Sequence, residues 1–431
     1  MKPIKRDRFL NELISKKENG LIKVVTGIRR CGKSYLLFNL FYEHLLVCGV
    51  KEENIIKIAL DDEENAEYRD PKKLSAYIRE KLSHNGRMNY VFIDEIQYAI
   101  RKEDLKKDEP LPLYGVLNGL LRRNDVDVYV TGSNSKLLSK DVLTEFRGRG
   151  DEVRVFPLSF GEFYGYLGGD KAELFEEYAL YGGLPLVLSK KNARDKTKYL
   201  SDLFKEVYFK DIEERYSLFY PDVMAQLTDE LCSSVGSLTN ASKLARSLKT
   251  AGGIDVTSQT VSTYLNYLQE SFLFGEAKRY DVKGKKYFSY PSKYYCTDPG
   301  LRNVRIGFRQ QEETHIMENI VYNELLARGY SVDVGVVEST KTGTDGNRHL
   351  VSYEIDFVAG DGNSRYYIQS ALNIEESEKE KSELRPLLLT SDFFKKIVVT
   401  KTRMKPWYDE QGILHVGLYD FLLDESFLST K

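Results

Sequence analysis

The eight residues from Gly27 to Ser34 have the types and spacing of a loop that binds nucleotide phosphates. They read GIRRCGKS and match GxxxxGK[ST] at every fixed position. The glycines let the backbone curl so that its N–H groups point at the β-phosphate, and the following helix adds the positive end of its dipole. We expect Lys33 to reach the β- and γ-phosphates and the Ser34 hydroxyl to ligate Mg²⁺. The predicted nucleotide contacts are Gly27, Ile28, Arg29, Arg30, Cys31, Gly32, Lys33, Ser34 and Tyr35.

Two adjacent carboxylates, Asp94 and Glu95, end the apolar run YVFIDE at residues 90–95. Such a run predicts a strand buried in a parallel sheet, and the carboxyl ends of these strands face the ligand crevice. Asp94 is therefore predicted to hold Mg²⁺, and Glu95 to accept a proton from the attacking water as general base. The alternative is an ordinary acidic turn at a strand end, and the phosphate loop argues against it.

A polar turn, TGSN at residues 131–134, follows the apolar run VDVYV and is expected at the same sheet edge. Asn134, or failing that Ser133, is predicted to hydrogen-bond the γ-phosphate or the water; a polar turn without a catalytic role is the alternative. Arg147 and Arg149, in FRGRG, lie just beyond it. Either is a candidate arginine finger for the nucleotide of a neighbouring subunit, and an ordinary surface arginine is the alternative.

Hydrophobic patterning indicates the elements that must position these residues. Short apolar runs at 21–26, 55–60, 90–95 and 126–133 predict strands, and the segments between them have helical spacing. Strands that alternate with helices indicate an α/β domain with a doubly wound parallel sheet. We predict that this domain spans residues 1–156.

Three further modules are predicted after this domain. Segments such as SFGEFYGYL and KAELFEEYALY predict a helical annex over 157–219. Residues 220–305 form a smaller unit of two helices and two strand-like runs. Residues 306–431 return to a mixture of α and β structure.

Composition and charge limit the possible partners. The 431 residues include 63 basic and 65 acidic side chains, and a formal net charge of −2 argues against binding nucleic acid or an anionic membrane through bulk charge. Any DNA contact must be a local patch. We find no run long and apolar enough to cross a bilayer and no secretion signal, and the four cysteines are scattered. We therefore expect a soluble, cytoplasmic protein with free thiols and no membrane partner.

The motifs together resemble the prokaryotic AAA-type ATPases that carry a C-terminal domain of unknown function. The resemblance rests on GIRRCGKS, FIDEIQ, TGSNSKLLS, the GR of residues 148 and 149, and FPLSFGEF, and it runs the whole length. It implies an ATPase core, a winged-helix segment and a region similar to PD-(D/E)xK nucleases. It also implies ATP binding and hydrolysis with Walker A and B roles for the residues above, and favours Arg149 as the family's GR arginine.

The segment 239–290 is a candidate DNA-binding module. TNASKLARSLK and VTSQTVSTYLNYLQES have the layout of a helix-turn-helix, and FLFGEAKRYDVKGKKYF predicts a β-hairpin wing. Such a module could equally dock a protein or act as a lid. The wing offers five basic side chains to phosphates, namely Lys278, Arg279, Lys283, Lys285 and Lys286.

The last module resembles the PD-(D/E)xK scaffold but departs from its active-site pattern. Glu318 lies on a predicted helix and Asp356 in a predicted strand, whereas Gln369 and Ala371 occupy the positions where an acidic residue and a lysine are needed. Glu318 and Asp356 alone would make at most a weak metal site. We therefore predict a nuclease-like fold without phosphodiester cleavage, used for recognition or assembly.

The favoured interpretation is an ATP-driven conformational switch whose C-terminal modules relay nucleotide state to a DNA or protein partner. The arginine finger suggests a homo-oligomer or a partner that completes the site. A binding protein with very slow ATP turnover is one alternative. An ATP-dependent DNA nuclease is the other.

Overall fold

The computed structural model describes residues 3–101, 104, 111–133, 150–216, 218–289, 291–310, 312–342, 347–372 and 377–428. The chain divides into two compact units. The first comprises Met1–Pro157 with Glu270–Phe272, and the second comprises Leu158–Gln269 with Leu273–Lys431.

A parallel sheet of five strands forms the centre of the first unit, in the order β2-β3-β4-β1-β5. The strands are β1 (Ile22–Thr26), β2 (Ile55–Ala59), β3 (Asn89–Asp94), β4 (Val126–Thr131) and β5 (Gly150–Arg154). Every residue of β1, β3 and β4 is buried, as expected for strands covered on both faces. The α/β class and the parallel sheet are therefore confirmed, and β1 to β4 lie where the apolar runs predicted them.

Strand β5 was not predicted from the sequence. It reads GDEVR, and Val153 is its one fully buried residue. It pairs in parallel with β1 at the edge of the sheet, with Ile22 opposite Gly150. An edge strand needs fewer apolar side chains than a central one, so it lacks the apolar run on which the prediction depended.

Helices cover this sheet and agree with the predicted helical spacing. The helix after the phosphate loop begins at Lys33, passes through a π-helical stretch at Leu36–Phe41 and ends at Val47. Among its described residues, the α-helices of the unit are α1 (Asp7–Ser15), α2 (Lys33–Tyr35), α3 (Tyr42–Val47), α4 (Pro71–Lys81) and α5 (Pro112–Leu121). Short 3₁₀ helices span Glu52–Asn54, Glu63–Arg69 and Ile96–Ala99.

An ion pair lies inside the first unit between neighbouring strands. Lys23 on β1 is fully buried and contacts the carboxylate of Asp127 on β4. The Tyr129 hydroxyl donates to the same carboxylate at 2.8 Å. A buried charge costs free energy unless it is paired, so Lys23 and Asp127 each need the other to be stable inside the unit.

The second unit begins with helices. The capping box of α6 explains where it starts, since Ser159 Oγ accepts from the Glu162 N–H and the Glu162 carboxylate accepts from the Ser159 N–H. The α-helices are α6 (Phe160–Leu167), α7 (Lys171–Tyr181), α8 (Ala193–Asp202), α9 (Lys210–Tyr216), α10 (Pro221–Ser233), α11 (Ala241–Gly252), α12 (Ser258–Glu270), α13 (Pro299–Arg305), α14 (Glu313–Ala327), α15 (Ser377–Leu388) and α16 (Leu418–Leu423). Pro185–Ser189 and Glu425–Leu428 are 3₁₀ helices, and Leu203–Phe209 is π-helical.

A buried carboxylate, Asp298, joins two helices of the second unit. Its oxygens accept the Gly183 N–H at 2.7 Å and the Leu301 N–H at 3.0 Å, so it caps α13 and fixes the glycine turn after α7. A Cβ at Gly182 would lie 2.1 Å from Asp298 Oδ1, which requires glycine there. Burial raises the pKa of Asp298 to about 6, against the lowering effect of its backbone donors.

Two sheets complete the second unit. A small sheet pairs β6 with β9, and an eight-stranded sheet has the order β14-β15-β13-β12-β11-β10-β7-β8. The strands are β6 (Phe274–Ala277), β7 (Arg279–Asp281), β8 (Lys286–Tyr287), β9 (Lys293–Cys296), β10 (Ser331–Thr342), β11 (Arg348–Gly360), β12 (Arg365–Ala371), β13 (Lys395–Thr400), β14 (Trp407–Tyr408) and β15 (Leu414–Gly417).

The predicted wing hairpin is present, but it is part of the larger sheet. β7 and β8 pair around the turn DVKGKK, and β7 also pairs in parallel with β10. Tyr280 and Val282 are buried in one apolar cluster with Val337 of β10 and Ile355 of β11, which explains why the hairpin docks there. The helices α11 and α12 are present as predicted, and a separate winged-helix domain remains a prediction.

Candidate active site

The phosphate loop leaves the carboxyl end of β1 in a conformation that needs its glycines. Gly27 has φ 138° and Gly32 has φ 103°, both in the region that favours glycine. A Cβ at Gly27 would lie 2.1 Å from the carbonyl oxygen of Val155. Arg30 also has a positive φ, 66°, although it is not glycine. Backbone strain of this kind concentrates at functional sites.

Two buried side chains anchor this loop. Arg6, just before α1, donates to the carbonyl of Cys31 at 3.0 Å and to that of Phe156 at 2.6 Å. The Cys31 thiol donates to the Val155 carbonyl at 3.4 Å, and burial raises its pKa, so that it stays neutral. Sequence patterns did not single out Arg6, because its partners lie 25 and 150 residues away.

Lys33 lies inside the loop. Its ammonium donates to the carbonyl oxygens of Gly27 at 3.1 Å and of Ile28 at 3.2 Å, and the side chain is almost completely buried. The loop therefore holds a positive charge at its centre. That is the placement from which an ammonium can contact phosphate oxygens cradled by the same loop.

The predicted magnesium ligands lie next to each other. Asp94 ends β3 and is buried, and burial raises the pKa of its carboxyl group above the usual value. Hydrogen bonding by Thr131 and Ser34 acts in the opposite direction, so the Ser34 hydroxyl lies near the Asp94 carboxylate. A buried carboxylate beside a hydroxyl is a pair of hard oxygen ligands, so these residues fit Mg²⁺.

Glu95 is turned away from the strand direction. Its φ and ψ are 50° and 51°, a left-handed conformation that glutamate adopts rarely. Its backbone N–H donates to Thr131 Oγ1 at 3.0 Å, and its carboxylate accepts from the Gln97 amide.

Thr131 lies in this candidate site, although the sequence motifs assign it no role. It ends β4, donates to the Asp94 carboxylate and accepts from the Glu95 N–H. The pairing of β3 with β4 places Ile93 opposite Val130, so that Asp94 and Thr131 follow side by side. The sequence signal for Thr131 was its position in the predicted polar turn. Its two hydrogen bonds depend on the register between β3 and β4, which the sequence pattern does not show.

The structure describes only some of the remaining predicted site residues. Ser133 is buried and its hydroxyl lies 3.2 Å from Arg29 Nε, which brings these two predicted residues together. Arg30 and Tyr35 are exposed at the loop. Asn134, Arg147 and Arg149 lie outside the described residues.

A second cluster of charges lies in the second unit. Lys293 of β9 is buried, with its ammonium 2.8 Å from Glu318, 2.8 Å from Glu354 and 3.8 Å from Asp356. The Tyr295 hydroxyl also donates to Glu318 at 2.6 Å. Burial by itself lowers the pKa of Lys293, but the carboxylates, led by Glu318, outweigh this and hold it above its usual value.

The structure thus brings Glu318 and Asp356 together around a lysine that the sequence did not indicate. Gln369 binds the backbone of Asp356, since its oxygen accepts from the Asp356 N–H at 3.3 Å, and its amide donates to Glu383 at 2.8 Å. Within the described ranges, no group of three or more metal-binding side chains could hold a metal ion. An ammonium occupies the centre of these carboxylates.

Comparison with known proteins supports the identity of the first unit. A model of an AAA domain matches residues 19–164, and a model of a domain of unknown function matches residues 172–312. In the described part of the chain, no helix is both long and apolar enough for a membrane span.

Two relatives match most of the chain. An uncharacterized protein of Haemophilus influenzae is 34% identical over 428 residues, which cover 97% of this chain and 98% of that protein. An uncharacterized protein of Methanocaldococcus jannaschii is 27% identical over 378 residues, covering 84% and 76%. Among solved structures, the Walker-type ATPase of Pyrococcus abyssi is 18% identical, with a TM-score of 0.48 over 70% of this chain and 96% of that one.

Proposed function

The chain belongs to the family of its Haemophilus influenzae relative and carries the AAA domain of the P-loop ATPases, and from this we propose that it binds ATP with Mg²⁺ and hydrolyses it. The observation that carries this proposal is the Lys33 ammonium held inside the loop, with the Ser34 hydroxyl near the buried Asp94 carboxylate. This arrangement resembles the one with which P-loop proteins hold the β- and γ-phosphates, which supports the proposal.

Each residue of the site has one proposed role. The loop N–H groups and the Lys33 ammonium bind phosphate oxygens, and Ser34 and Asp94 would hold Mg²⁺, which would neutralise charge on these oxygens when bound. Glu95 accepts the proton of the attacking water, and Thr131 positions Glu95 and Asp94. Asn134 or Ser133 would orient the γ-phosphate or the water, and Arg149 or Arg147 would act as the finger.

We further propose that the ATPase drives a conformational change relayed to a DNA or protein partner. The exposed lysines of the β7–β8 turn support a DNA contact, and a finger supplied by a neighbouring subunit would make the protein a homo-oligomer. A slow-turnover binding switch is the second candidate. The nuclease alternative is not favoured, because Lys293 occupies the carboxylate cluster.

Steady-state ATP hydrolysis across protein concentration, with and without duplex DNA, tests this proposal. Turnover that rises with concentration or DNA would establish an ATPase completed by a subunit or by nucleic acid. Tight ATP binding with negligible turnover would favour the slow switch. Absence of ATP binding would reject both.

Two variants assign the roles within the site. Lys33→Ala should greatly weaken ATP binding, because it removes the cation from the loop. Glu95→Gln should bind ATP without turnover, because an amide does not accept the proton of water. Normal turnover in Glu95→Gln would place the base elsewhere, and retained affinity in Lys33→Ala would reject the loop assignment.

A further inference from the structure

A small cavity lies at the β8 edge of the eight-stranded sheet, and we propose that it binds an unpaired base of a single-stranded nucleic acid. Its volume is about 270 Å³, and residues of β8, β10 and the turn between β11 and β12 line it. Cavities for drug-sized ligands are larger, about 300–1,000 Å³. A volume just below this range has room for one planar ring, which is smaller than a drug-sized ligand.

Aromatic side chains supply stacking surfaces at this cavity. Tyr287 is 60% exposed and Phe394 is 40% exposed. The Arg365 guanidinium lies 5.1 Å from the Phe394 ring centroid and 5.2 Å from that of Tyr280. A planar cation is thus held against two rings. Bases stack on exposed aromatic rings and on arginine planes regardless of their sequence.

Polar groups in the wall match the edge of a base. The Asp333 carboxylate accepts from the Tyr287 hydroxyl at 2.8 Å, which fixes the ring beside the cavity. Burial raises the pKa of Asp333, and burial together with this hydrogen bond raises that of Tyr287 to about 12. Asp333 offers an acceptor and Arg365 offers donors. A base presents both donors and acceptors at its edge.

The turn that precedes Tyr287 supplies positive charge for phosphates. Lys283, Lys285 and Lys286 are exposed there, and Lys283 is anchored by a 3.0 Å hydrogen bond to the Glu338 carbonyl. The chain as a whole has a net charge of −2, so this is a local basic patch. Lysines beside stacking rings are the combination by which proteins hold single strands, and the bases of a duplex do not expose their faces to such rings.

Fluorescence anisotropy with a labelled 20-nucleotide single strand, as DNA and as RNA and without ATP, tests the proposal. Tyr287→Ala should weaken binding about five- to 150-fold, the range that one stacked base contributes. Tyr287→Phe keeps the ring and should bind nearly as the unchanged protein does. Tyr408→Ala is the matched control, because Tyr408 is also 60% exposed and lies on β14 at the opposite edge of the sheet.

The lysines are tested by salt dependence. Lys285→Ala and Lys286→Ala each remove one cation that can neutralise a phosphate, and each should reduce the slope of log affinity against log salt by about 0.7. Equal binding by Tyr287→Ala and Tyr408→Ala, tighter binding of duplex, or equal binding of a polyglutamate peptide would overturn the proposal. Phe394→Ala gives a second test should Tyr287→Ala not fold. Because no ATP is present, these outcomes are separate from those for the ATPase.

Discussion

The hydroxyl of Thr131 connects the proposed magnesium ligand with the proposed base, and Thr131→Val tests this connection. Valine keeps the branched shape in a fully buried position and removes the hydroxyl. The Asp94 carboxylate then loses a donor and the Glu95 N–H loses its acceptor. We expect weaker Mg²⁺ binding and slower turnover in the same variant.

The size of the effect follows from the charged hydrogen bond. A hydrogen bond to a charged group contributes about 1.5–3 kcal/mol, which corresponds to roughly 10- to 150-fold weaker Mg²⁺ binding. The Thr131 bond also lowers the pKa of Asp94, so its loss raises that pKa further. Mg²⁺ binds the ionised carboxylate. As the pH is lowered, the variant should therefore lose its Mg²⁺ affinity at a higher pH than the unchanged protein does.

Mg²⁺ titrations of ATP binding and hydrolysis, repeated from pH 8 to pH 5, measure both effects. Thr26→Val is the matched control, because Thr26 ends the neighbouring strand β1, is also fully buried, and donates to Glu152 at 2.5 Å. Thermal unfolding shows whether both variants remain folded. If Thr131→Val and Thr26→Val have the same Mg²⁺ midpoint and pH profile, Thr131 does not position the site.

Three further predictions concern the fold. Gly27→Ala should abolish nucleotide binding, because the new Cβ clashes with the carbonyl oxygen of Val155. Gly20→Ala is the control: Gly20 has φ 76° and open space around it, so the variant should lose only about 1 kcal/mol of stability in thermal unfolding and still bind nucleotide. Asp127→Ala leaves Lys23 buried and unpaired, so urea unfolding should show a loss of about 3–5 kcal/mol. The pKa of Asp298 is higher in the folded protein than in the unfolded chain, because burial disfavours its ionised form. The free energy of unfolding should therefore fall by up to about 3 kcal/mol as pH rises from 4 to 7. A stability–pH curve of Asp298→Asn that matches the unchanged protein would contradict this.

The sequence predicted those parts of the fold that local pattern determines. Apolar runs located β1 to β4, and helical spacing located the helices between them. It missed β5, whose single buried Val153 gives no periodic signal, and it did not place the β7–β8 hairpin in the large sheet. Pairing between β7 and β10 joins residues more than 50 positions apart, which no local pattern reports.

The candidate site shows the same division. The proposed phosphate and metal ligands lie in short motifs, because a loop and a strand end each carry their residues together, and the structure brings Ser34 of the loop near Asp94 of the strand end. Arg6 and Thr131 act on these motifs from other strands and helices. The hydrogen bonds of Arg6 and Thr131 depend on tertiary contacts, so their roles could not be predicted from the sequence.

The Lys293 cluster extends this argument to the second unit. With all its groups ionised, three carboxylates and one ammonium would leave two negative charges in a largely buried site. Burial, with the charge of Glu318 beside it, raises the pKa of Asp356 well above its usual value, so that proton uptake relieves this excess. Lys293 precedes the predicted boundary at residue 305, whereas Glu318 and Asp356 follow it. The contacts that neutralise the cluster therefore cross that boundary, as the pairing of β7 with β10 does, and both favour folding of β6 to β15 as one cooperative body.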